Sequence, residues 1–340
     1  MNALVTGGGG FIGGRLARAL QAAGHAVTTY QRGDYPELAA SGIRTVRGDI
    51  ADERRLTEAV TGQDIVFHVA ALAGAWGRWE DFHRSNVLGT RSVIAACRHQ
   101  QVKRLVFTSS PSVVFHGQDM RGADETVPYP AHHEAAYPAT KAEAERAVLA
   151  ANDDQLATVA LRPHLVWGPG DSHLLPRLLK AHREGRLRRI GDGTNLVDAT
   201  YIDNAVQAHL AAAERLAPGA PCAGKAYFIA NGEPLPAWEL IDRLLIAAGA
   251  GRVRGSVPAF LAVGAGTVLE SVYRTLALPG EPPMTRWVAR ELATSHYFDL
   301  AAARRDLEYL PRVSTDEGLR RLTDWWASHG AASARRVASP

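Results

Sequence analysis

The sequence has few cysteines and no pattern of metal ligands. Only Cys97 and Cys222 occur among 340 residues, and their wide separation indicates neither a disulfide framework nor a thiolate zinc site. The 13 histidines form no H-E-x-x-H motif, and the cluster 132–134 lacks useful ligand spacing. We therefore predict no metal, and a reducing, cytoplasmic compartment.

Long apolar runs are also missing. The longest, 257–269, is too short to span a bilayer, and Glu270 and Arg274 follow it. At the N-terminus an apolar segment passes directly into glycines, which leaves no room for a signal peptide. We expect no transmembrane segment.

Charge of one sign is not in large excess, because 38 Lys and Arg residues stand against 35 Asp and Glu residues. The densest basic segment, 182–189, has no interleaved aromatic residues that could stack on bases. We interpret it as a solvated helix face and expect no nucleic-acid partner. A hydrophobic content of 46% suffices for one large core or two fused cores.

Four successive glycines separate a short apolar strand, 2–6, from an amphipathic helix pattern. A tight glycine turn lets backbone N–H groups approach a pyrophosphate at a helix N-terminus. Two registers fit, which begin at Gly7 or Gly8 and share Gly10 and Gly13. No Gly-Lys-Ser/Thr follows, so a phosphate-loop NTPase is excluded, and we predict a dinucleotide site.

Strand and helix patterns alternate at least five times before residue 150. This alternation predicts an α/β fold, a Rossmann-type doubly wound parallel sheet with a smaller C-terminal substrate-binding lobe. We place the dinucleotide-binding domain at 1–170, with some later segments returning to it. The substrate lobe occupies mainly 171–330, and 331–340 is predicted to be a flexible tail.

Gln31 and Arg32 stand after the second predicted strand, where an NAD enzyme places an acid on the ribose 2'-hydroxyl. An arginine there suits a 2'-phosphate, so we predict that NADP is the cofactor and NADPH is preferred over NADH. The alternative is that Arg32 points into solvent and Asp34 acts as the ribose acid.

Tyr137 and Lys141 are four residues apart and share one face if the segment opens a helix, which Pro138 permits. An ammonium stabilises a phenolate, so we expect Lys141 to lower the pKa of Tyr137. Hydroxyl groups at 108–112 follow the fifth strand, where a serine can hydrogen-bond a substrate oxygen. Taken alone, the pair also suits a surface tyrosine beside a solvated lysine, and serines cluster in ordinary turns.

Six motifs occur along the chain: Thr6-Gly7-x-x-Gly10-x-x-Gly13, Asp49, Ala70-Ala71, Asn86-x-x-Gly89-Thr90, Thr108-Ser109-Ser110 and Tyr137-x-x-x-Lys141. Their order and spacing resemble those of the extended short-chain dehydrogenases/reductases, nearly end to end. Segments 161–171, 200–204, 283–286 and 309–314 resemble the 3β-hydroxysteroid dehydrogenase-like branch. Segments 32–38, 73–77 and 232–236 resemble bacterial 2-alkyl-3-oxoalkanoate reductases of long-chain olefin biosynthesis.

The resemblance implies that Tyr137 donates a proton to a ketone, Lys141 lowers its pKa and holds the nicotinamide ribose, and Ser110 orients the carbonyl. Ser109 is the weaker alternative to Ser110. The implied cofactor-binding residues are Gly7, Gly10, Phe11, Ile12, Gly13, Arg32, Asp49, Ile50, Ala70, Ala71, Tyr137, Lys141, Pro163 and Val166. His68 departs from the pattern, because an asparagine often precedes the two alanines; we interpret it as a satisfied buried histidine, with its role beside the cofactor open.

The implied activity is NADPH-dependent reduction of a 2-alkyl-3-oxoalkanoate, a long-chain β-keto acid, to the 2-alkyl-3-hydroxyalkanoate. A homodimer, and association with other enzymes of the same pathway, are further expectations. The alternatives are a 3β-hydroxysteroid or sterol-carboxylate dehydrogenase, a nucleotide-sugar epimerase and a non-catalytic NADP-sensing scaffold.

Segment 258–278 carries an apolar stripe at helical spacing, formed by Leu261, Ala265, Val268, Val272 and Leu276. Core packing, a lid over a lipid-like substrate and an interfacial helix all suit the stripe. The polar face of the same helix lacks the lysine and arginine richness of membrane-surface helices. The loop with Trp76 and Trp79 suits an apolar wall for the substrate, or ordinary packing.

Overall fold

The structure, a computed structural model, describes residues 1–338, and the side chains of residues 1–329. The strands are β1 (Asn2–Thr6), β2 (Ala26–Gln31), β3 (Arg44–Arg47), β4 (Ile65–His68), β5 (Arg104–Thr108), β6 (Met120–Ala123), β7 (Ala157–Pro163), β8 (Val166–Trp167), β9 (Arg189–Ile190), β10 (Leu196–Val197), β11 (Thr200–Tyr201), β12 (Lys225–Ile229), β13 (Leu235–Pro236), β14 (Ser256–Val257) and β15 (His296–Phe298).

The α-helices are α1 (Phe11–Ala22), α2 (Pro36–Ala40), α3 (Glu53–Val60), α4 (Trp79–Phe82), α5 (Gly89–His99), α6 (Ala136–Ala150), α7 (Leu174–Arg183), α8 (Ile202–Arg215), α9 (Ala237–Ala247), α10 (Ala259–Thr275), α11 (Arg286–Ala293), α12 (Ala301–Leu307) and α13 (Thr315–Ala338). A π-helical turn, His83–Leu88, leads into α5, and a 3₁₀ turn, Pro111–Val114, follows β5. The predicted tail, 331–340, overlaps the end of α13, and its last two residues lie outside the described residues.

Seven parallel strands form the central sheet, in the order β3-β2-β1-β4-β5-β7-β12. Successive residues of β1 pack on opposite faces: Val5 joins the core that contains Leu16 and Leu20 of α1, and Leu4 joins a core that contains Val93 of α5. Parallel strands require crossover helices, which cover both faces of the sheet. The predicted doubly wound α/β fold is confirmed.

Strand order reverses beside β1, since the chain leaves it for β2 on one side and places β4 on the other. In open α/β sheets, ligands bind in the crevice outside the carboxyl ends of the strands at such a point. The glycine turn after β1 and the segment after β4 pack against each other, and both border this crevice.

A second core lies beside the sheet, around buried aromatic residues that include Trp167, Tyr201 and Trp238. Its largest sheet has the order β13-β10-β15-β6, so β6 from the first half of the chain joins this lobe. Conversely, β12 completes the central sheet and α8 packs against α1. The two lobes are thus built from interleaved segments.

The apolar stripe of α10 lies outside this second core. All five of its residues are exposed, and the residues that α10 buries are instead Ala262, Gly266 and Glu270. The core-packing interpretation of the stripe is therefore wrong. None of the described helices combines the length and the apolarity that a bilayer crossing requires.

Candidate active site

A cleft of about 840 Å³ opens at the carboxyl ends of the central strands. The residues predicted to act in catalysis or to bind the cofactor all line it, namely Gly7, Gly10, Phe11, Ile12, Gly13, Arg32, Asp49, Ile50, Ala70, Ala71, Ser110, Tyr137, Lys141, Pro163 and Val166. They lie in or just after seven strands and in two helices, so the fold brings together positions that are far apart in sequence.

The glycine turn adopts the register that begins at Gly7. Gly7 has a φ of +71°, and the N–H of Gly10 donates to the Gly7 carbonyl oxygen at 2.8 Å. Gly10 caps α1, whose first turn contains no acidic residue. Gly8 does not line the cleft. The free N–H groups of Phe11 and Ile12 and the helix dipole make this end of the cleft suitable for a pyrophosphate.

Gly13→Ala is expected to weaken dinucleotide binding, because the added Cβ would lie 2.2 Å from the Gly7 carbonyl oxygen and would displace the turn. Overpacking costs about 1–3 kcal/mol, which corresponds to a rise in Kd of roughly 5- to 150-fold. A fluorescence titration measures the Kd. Gly264→Ala is the matched control, since the space around that Cβ is open. Unchanged affinity in Gly13→Ala would contradict the turn's assignment.

Asp49 and Ile50, two residues that the family resemblance assigns to cofactor binding, line the cleft just after β3. The Asp49 carboxylate pairs with Arg84 at 3.0 Å, and its backbone carbonyl accepts a hydrogen bond from the Tyr30 hydroxyl at 2.9 Å. Ile50 packs so closely on Gly89 that a Cβ there would lie 2.6 Å from the Ile50 Cγ2. This contact accounts for a glycine at position 89.

Arg32 and Asp34 both follow β2, but only Arg32 lines the cleft. Its backbone carbonyl accepts a hydrogen bond from Arg47 Nε at 2.9 Å, which ties the turn to β3. The Arg32 side chain is exposed and has no acidic partner within the described part of the chain. Arg32 can therefore offer its full charge to an anion in the cleft.

Asn86, in the π-helical turn, holds the segment after β4. Its amide oxygen accepts the Leu72 N–H at 2.8 Å, and its amide nitrogen donates to the Leu72 carbonyl at 3.0 Å. The same nitrogen lies 3.0 Å from Thr140 Oγ1 of α6. The wall formed by Ala70 and Ala71 is therefore tied to the helix that carries Tyr137.

His68 is a buried, fully hydrogen-bonded residue. Nδ1 lies 2.8 Å from Thr6 Oγ1, and Nε2 lies 2.9 Å from Thr90 Oγ1. The Thr90 hydroxyl donates to the Asn86 carbonyl, so Thr90 Oγ1 accepts a hydrogen bond from the His68 Nε2–H group. Burial lowers the pKa of His68 to about 3, and Lys141 adds to the effect. His68 is thus a neutral imidazole that links β4 to β1 and α5, as its interpretation as a satisfied histidine requires.

Tyr137 and Lys141 lie in the first turns of α6, and Ser110 follows β5. Ser110 and Tyr137 line the same wall of the cleft, and Ser110 Oγ lies 2.9 Å from Ser112 Oγ. Ser109 Oγ is buried without a hydrogen-bond partner. Lys141 is 2% exposed, and its Nζ donates to the Thr108 carbonyl at 2.6 Å.

The pKa of Tyr137 moves in the direction opposite to the prediction. Burial raises it above its ordinary value, the nearby Ser110 hydroxyl opposes this rise and Glu291 adds to it. Lys141 instead directs its ammonium to the Thr108 carbonyl and lies 4.0 Å from the centre of the Phe107 ring. Burial lowers the pKa of Lys141 to about 7, and Glu145 opposes that change. At neutral pH Tyr137 therefore carries the proton that a donor needs.

Glu145 and Arg162 form a buried ion pair below Lys141. Arg162 Nη2 donates to Glu145 Oε1 at 2.6 Å and Nε donates to Oε2 at 3.0 Å. The Tyr129 hydroxyl also donates to Glu145, at 2.5 Å. This network joins α6 to β7, whose last residue, Pro163, lines the cleft.

A second pocket, of about 160 Å³, adjoins Ser110 and Tyr137. Its remaining lining residues are Pro111, Ser112, Phe115, Met120, His164, Leu165, Trp287, Glu291, His296 and Phe298. Burial raises the pKa of Glu291 to about 8, and lowers those of His164 and His296 to about 4 and about 3. Near pH 7 the pocket is therefore mostly apolar and largely uncharged.

The loop with Trp76 and Trp79, which suited an apolar wall for the substrate, lies away from the cleft and the smaller pocket. Trp76 packs against Tyr273 of α10, with 6.4 Å between ring centroids, and Trp79 is 47% exposed. Neither residue lines the cleft or the smaller pocket. Among the described residues, no group of three or more His, Cys, Asp or Glu side chains is placed to hold a metal.

Three parts of the site, which are Asn86, the Glu145–Arg162 pair and Glu291, were not given a role in the sequence analysis. Asn86 belongs to a recognised motif, so its spacing to Gly89 was a usable signal. The Glu145–Arg162 pair had a weaker signal, because Arg162 directly precedes Pro163. Glu291 had none, since its place beside Tyr137 depends on the packing of α11 over the cleft.

Known proteins resemble this chain over most of its length. The model of the 3-beta hydroxysteroid dehydrogenase/isomerase family matches residues 4–257. A 2-alkyl-3-oxoalkanoate reductase of Stenotrophomonas maltophilia is 54% identical over 325 residues, which cover 95% of this chain and 98% of the relative. Its counterpart from Shewanella oneidensis is 46% identical over 329 residues, covering 94% and 85%. The crystal structure of UDP-glucuronic acid 4-epimerase from Bacillus cereus in complex with NAD has a similar fold, with a TM-score of 0.73, 23% identity and coverage of 96% and 99%.

Proposed function

We propose that this protein reduces a 2-alkyl-3-oxoalkanoate to the 2-alkyl-3-hydroxyalkanoate. The chain belongs to the 3-beta hydroxysteroid dehydrogenase/isomerase family of NAD(P)-dependent oxidoreductases, which supports this proposal. The observation that carries the proposal is the mostly apolar, largely uncharged pocket beside Ser110 and Tyr137. The aromatic and aliphatic side chains of its walls, among them Phe115, Trp287 and Phe298, suit a ketone with hydrocarbon substituents.

The residues present fit a nicotinamide dinucleotide, because glycines at 7, 10 and 13 keep side chains away from the N-terminus of α1. When bound, the reduced cofactor supplies a hydride to the ketone carbon. Tyr137 donates its phenolic proton to the ketone oxygen, and Ser110 hydrogen-bonds the same oxygen. Lys141, whose Nζ donates to the Thr108 carbonyl, holds the nicotinamide ribose in this proposal.

The substrate proposal is tested by following NADPH oxidation with 2-alkyl-3-keto acids, 3-ketosteroids and UDP-sugars at matched concentrations. We expect the keto acids to give the highest kcat/KM and one hydroxy acid per NADPH oxidised. A higher kcat/KM for a 3-ketosteroid would contradict the proposed substrate class but would still support NADPH-dependent ketone reduction. Turnover of a UDP-sugar without net cofactor oxidation would contradict the reductase proposal.

We also propose NADPH as the preferred cofactor, on the strength of the exposed, unpaired Arg32 in the cleft wall. Arg32→Ala is expected to lower kcat/KM for NADPH about tenfold, since a charge-assisted hydrogen bond contributes about 1.5–3 kcal/mol, and to leave kcat/KM for NADH nearly unchanged. Asp34→Ala is the control, because Asp34 does not line the cleft. A wild-type cofactor ratio in Arg32→Ala would contradict the 2'-phosphate assignment.

The proposal extends to a cytoplasmic homodimer that associates with other enzymes of the same pathway. Its support is the buried, unpaired state of Cys97 and Cys222, which suits a reducing compartment, and analogy with the superfamily for the dimer. Sedimentation velocity over a range of concentrations tests the dimer, and a monomer throughout would contradict it.

A further inference from the structure

Helix α10 contacts the start of α11 through a narrow strip of residues that includes Gly266 and Glu270. A Cβ at Gly266 would lie 2.7 Å from the Arg286 backbone nitrogen, so the two chains approach closely there. One turn later, the buried Glu270 accepts the Arg286 N–H at 2.7 Å. The helix is therefore fixed by its contact with the start of α11, by Ala262 in the second core and by Tyr273 against Trp76, and its remaining side is exposed.

The free side of α10 and the turn after it carry large apolar side chains. Their exposed fractions are 74% for Phe260, 51% for Leu261, 62% for Val268, 38% for Val272, 65% for Leu276 and 40% for Leu278. Within α10 the only exposed charge is Arg274, which lies over the Trp76 ring at 5.1 Å. A contiguous apolar surface of this kind marks an interaction site.

Strand pairing brings the basic segment 182–189 to the beginning of this helix. β9 runs parallel to β14, and Pro258 leads from β14 directly into α10. Arg188 Nη1 donates to the Arg254 carbonyl at 3.1 Å, which fixes the two segments side by side. The chain's densest basic segment and its longest apolar run thus become neighbours.

Three arginines at this junction, Arg188, Arg252 and Arg254, are exposed and have no acidic partner among the described side chains. Their neighbours differ, because Arg186 pairs with Glu184 and Arg189 with Asp242. Uncompensated positive charge beside exposed phenylalanine and leucine is the combination that anionic lipid surfaces bind.

We propose that the α10 face, defined as the exposed apolar side chains of 260–278 together with Arg188, Arg252 and Arg254, binds the surface of an anionic lipid bilayer. The apolar side chains enter the boundary between headgroups and acyl chains, and the guanidinium groups bind lipid phosphates. A helix that lies in the interface needs no spanning length. Its 17 residues extend about 25 Å along the surface.

A second copy of the chain is a poorer occupant of the α10 face. In a two-fold contact the same surface meets itself, so each set of arginines needs acidic partners on that surface. The exposed acids of the adjoining segments, Glu184 and Glu281, already pair with Arg186 and Arg177. A bilayer supplies the missing negative charge and the apolar contact together.

Trp76, which packs on Tyr273 of α10, follows Ala73 by three residues, and Ala73 lines the cleft, so one short loop connects the α10 face to the cleft. If the proposed reaction on a lipid-like keto acid holds, the bilayer is a source of substrate beside the cleft. Lipid binding itself does not depend on that reaction.

Cosedimentation of the full chain with vesicles tests the proposal. We expect binding to equimolar phosphatidylcholine and phosphatidylglycerol, weaker binding in high salt, and little binding to phosphatidylcholine alone. The double variant Phe260→Ser, Leu261→Ser and the triple variant Arg188→Gln, Arg252→Gln, Arg254→Gln are each expected to lower partitioning at least about tenfold. Matched controls are Leu310→Ser, which removes a 61% exposed leucine elsewhere, and Arg44→Gln, Arg54→Gln, which remove exposed arginines of the nucleotide domain.

Equal partitioning of the α10-face variants and their controls would overturn the proposal. The proposal would also be overturned if the wild type bound neither vesicle type and instead formed a dimer that was lost in the Phe260→Ser, Leu261→Ser variant. Turnover of a short, water-soluble β-keto acid, which should be unaffected in both α10-face variants, separates this outcome from failure of the proposed reaction. Vesicle binding without any ketone reduction would support the lipid-binding proposal and contradict the proposed reductase activity.

Discussion

Tyr137→Phe is expected to lower kcat for ketone reduction by about 10²–10⁴-fold, which is the usual contribution of a positioned proton donor. The phenol is partly buried and its pKa is raised, so it carries a proton at neutral pH, and phenylalanine has none to give. Steady-state rates at saturating NADPH measure the effect. The Kd for the dinucleotide should change little, because the pyrophosphate end of the cleft is untouched.

Tyr297→Phe is the matched control for this variant. Tyr297 lies in β15 and lines neither the cleft nor the smaller pocket, so loss of its hydroxyl should leave kcat unchanged. Near wild-type turnover in Tyr137→Phe would refute the proton-donor role. A large rise in the dinucleotide Kd with unchanged kcat would assign the hydroxyl to cofactor binding instead.

Glu145→Ala is expected to lower the free energy of unfolding by about 3–5 kcal/mol, the usual cost of leaving one partner of a buried ion pair uncompensated. Arg162 is 3% exposed and would keep its charge without an acceptor, and the Tyr129 hydroxyl would lose its partner. Chemical denaturation measures the change. In folded protein the pKa of Lys141 should also fall further, because the negative charge of Glu145 opposes the effect of burial.

Glu143→Ala on the same helix is the control. Glu143 pairs with Arg91 at 2.9 Å, but the two side chains are 40% and 59% exposed, so the pair contributes at most about 1 kcal/mol. Equal destabilisation by the two substitutions would contradict the view that the Glu145–Arg162 pair holds α6 against β7. Partial recovery in Glu145→Met, Arg162→Met would support it, since no buried charge remains.

The sheet and the cleft could be predicted because they depend on local patterns with fixed geometric consequences. Buried parallel strands are short apolar runs, and a glycine turn between a strand and a helix requires close backbone approach, as at Gly7 and Gly13. Carboxyl ends of parallel strands meet at one edge, so motifs that follow strands converge there. Membership of the 3β-hydroxysteroid dehydrogenase-like branch, which was predicted from such local motifs, is confirmed by the match to the family model.

The features that could not be predicted depend on what surrounds a residue in space. Proximity alone predicted a lowered pKa for Tyr137, but burial has the larger effect and raises it. The periodicity of α10 cannot tell an exposed stripe from a packed one, because both have the same spacing. Its basic companions come from β9 and the segment before β14, which only the strand pairing brings together.

The central claim is that Tyr137, Lys141 and Ser110 reduce a lipid-like β-keto acid with a nicotinamide cofactor. The most direct measurement is a product assay in which the purified wild type is incubated with NADPH and a 2-alkyl-3-oxoalkanoate. We predict one 2-alkyl-3-hydroxyalkanoate per NADPH consumed, and a rate at least about a hundredfold lower in Tyr137→Phe. Absence of the hydroxy acid, or an equal rate of its formation in Tyr137→Phe, would contradict the claim.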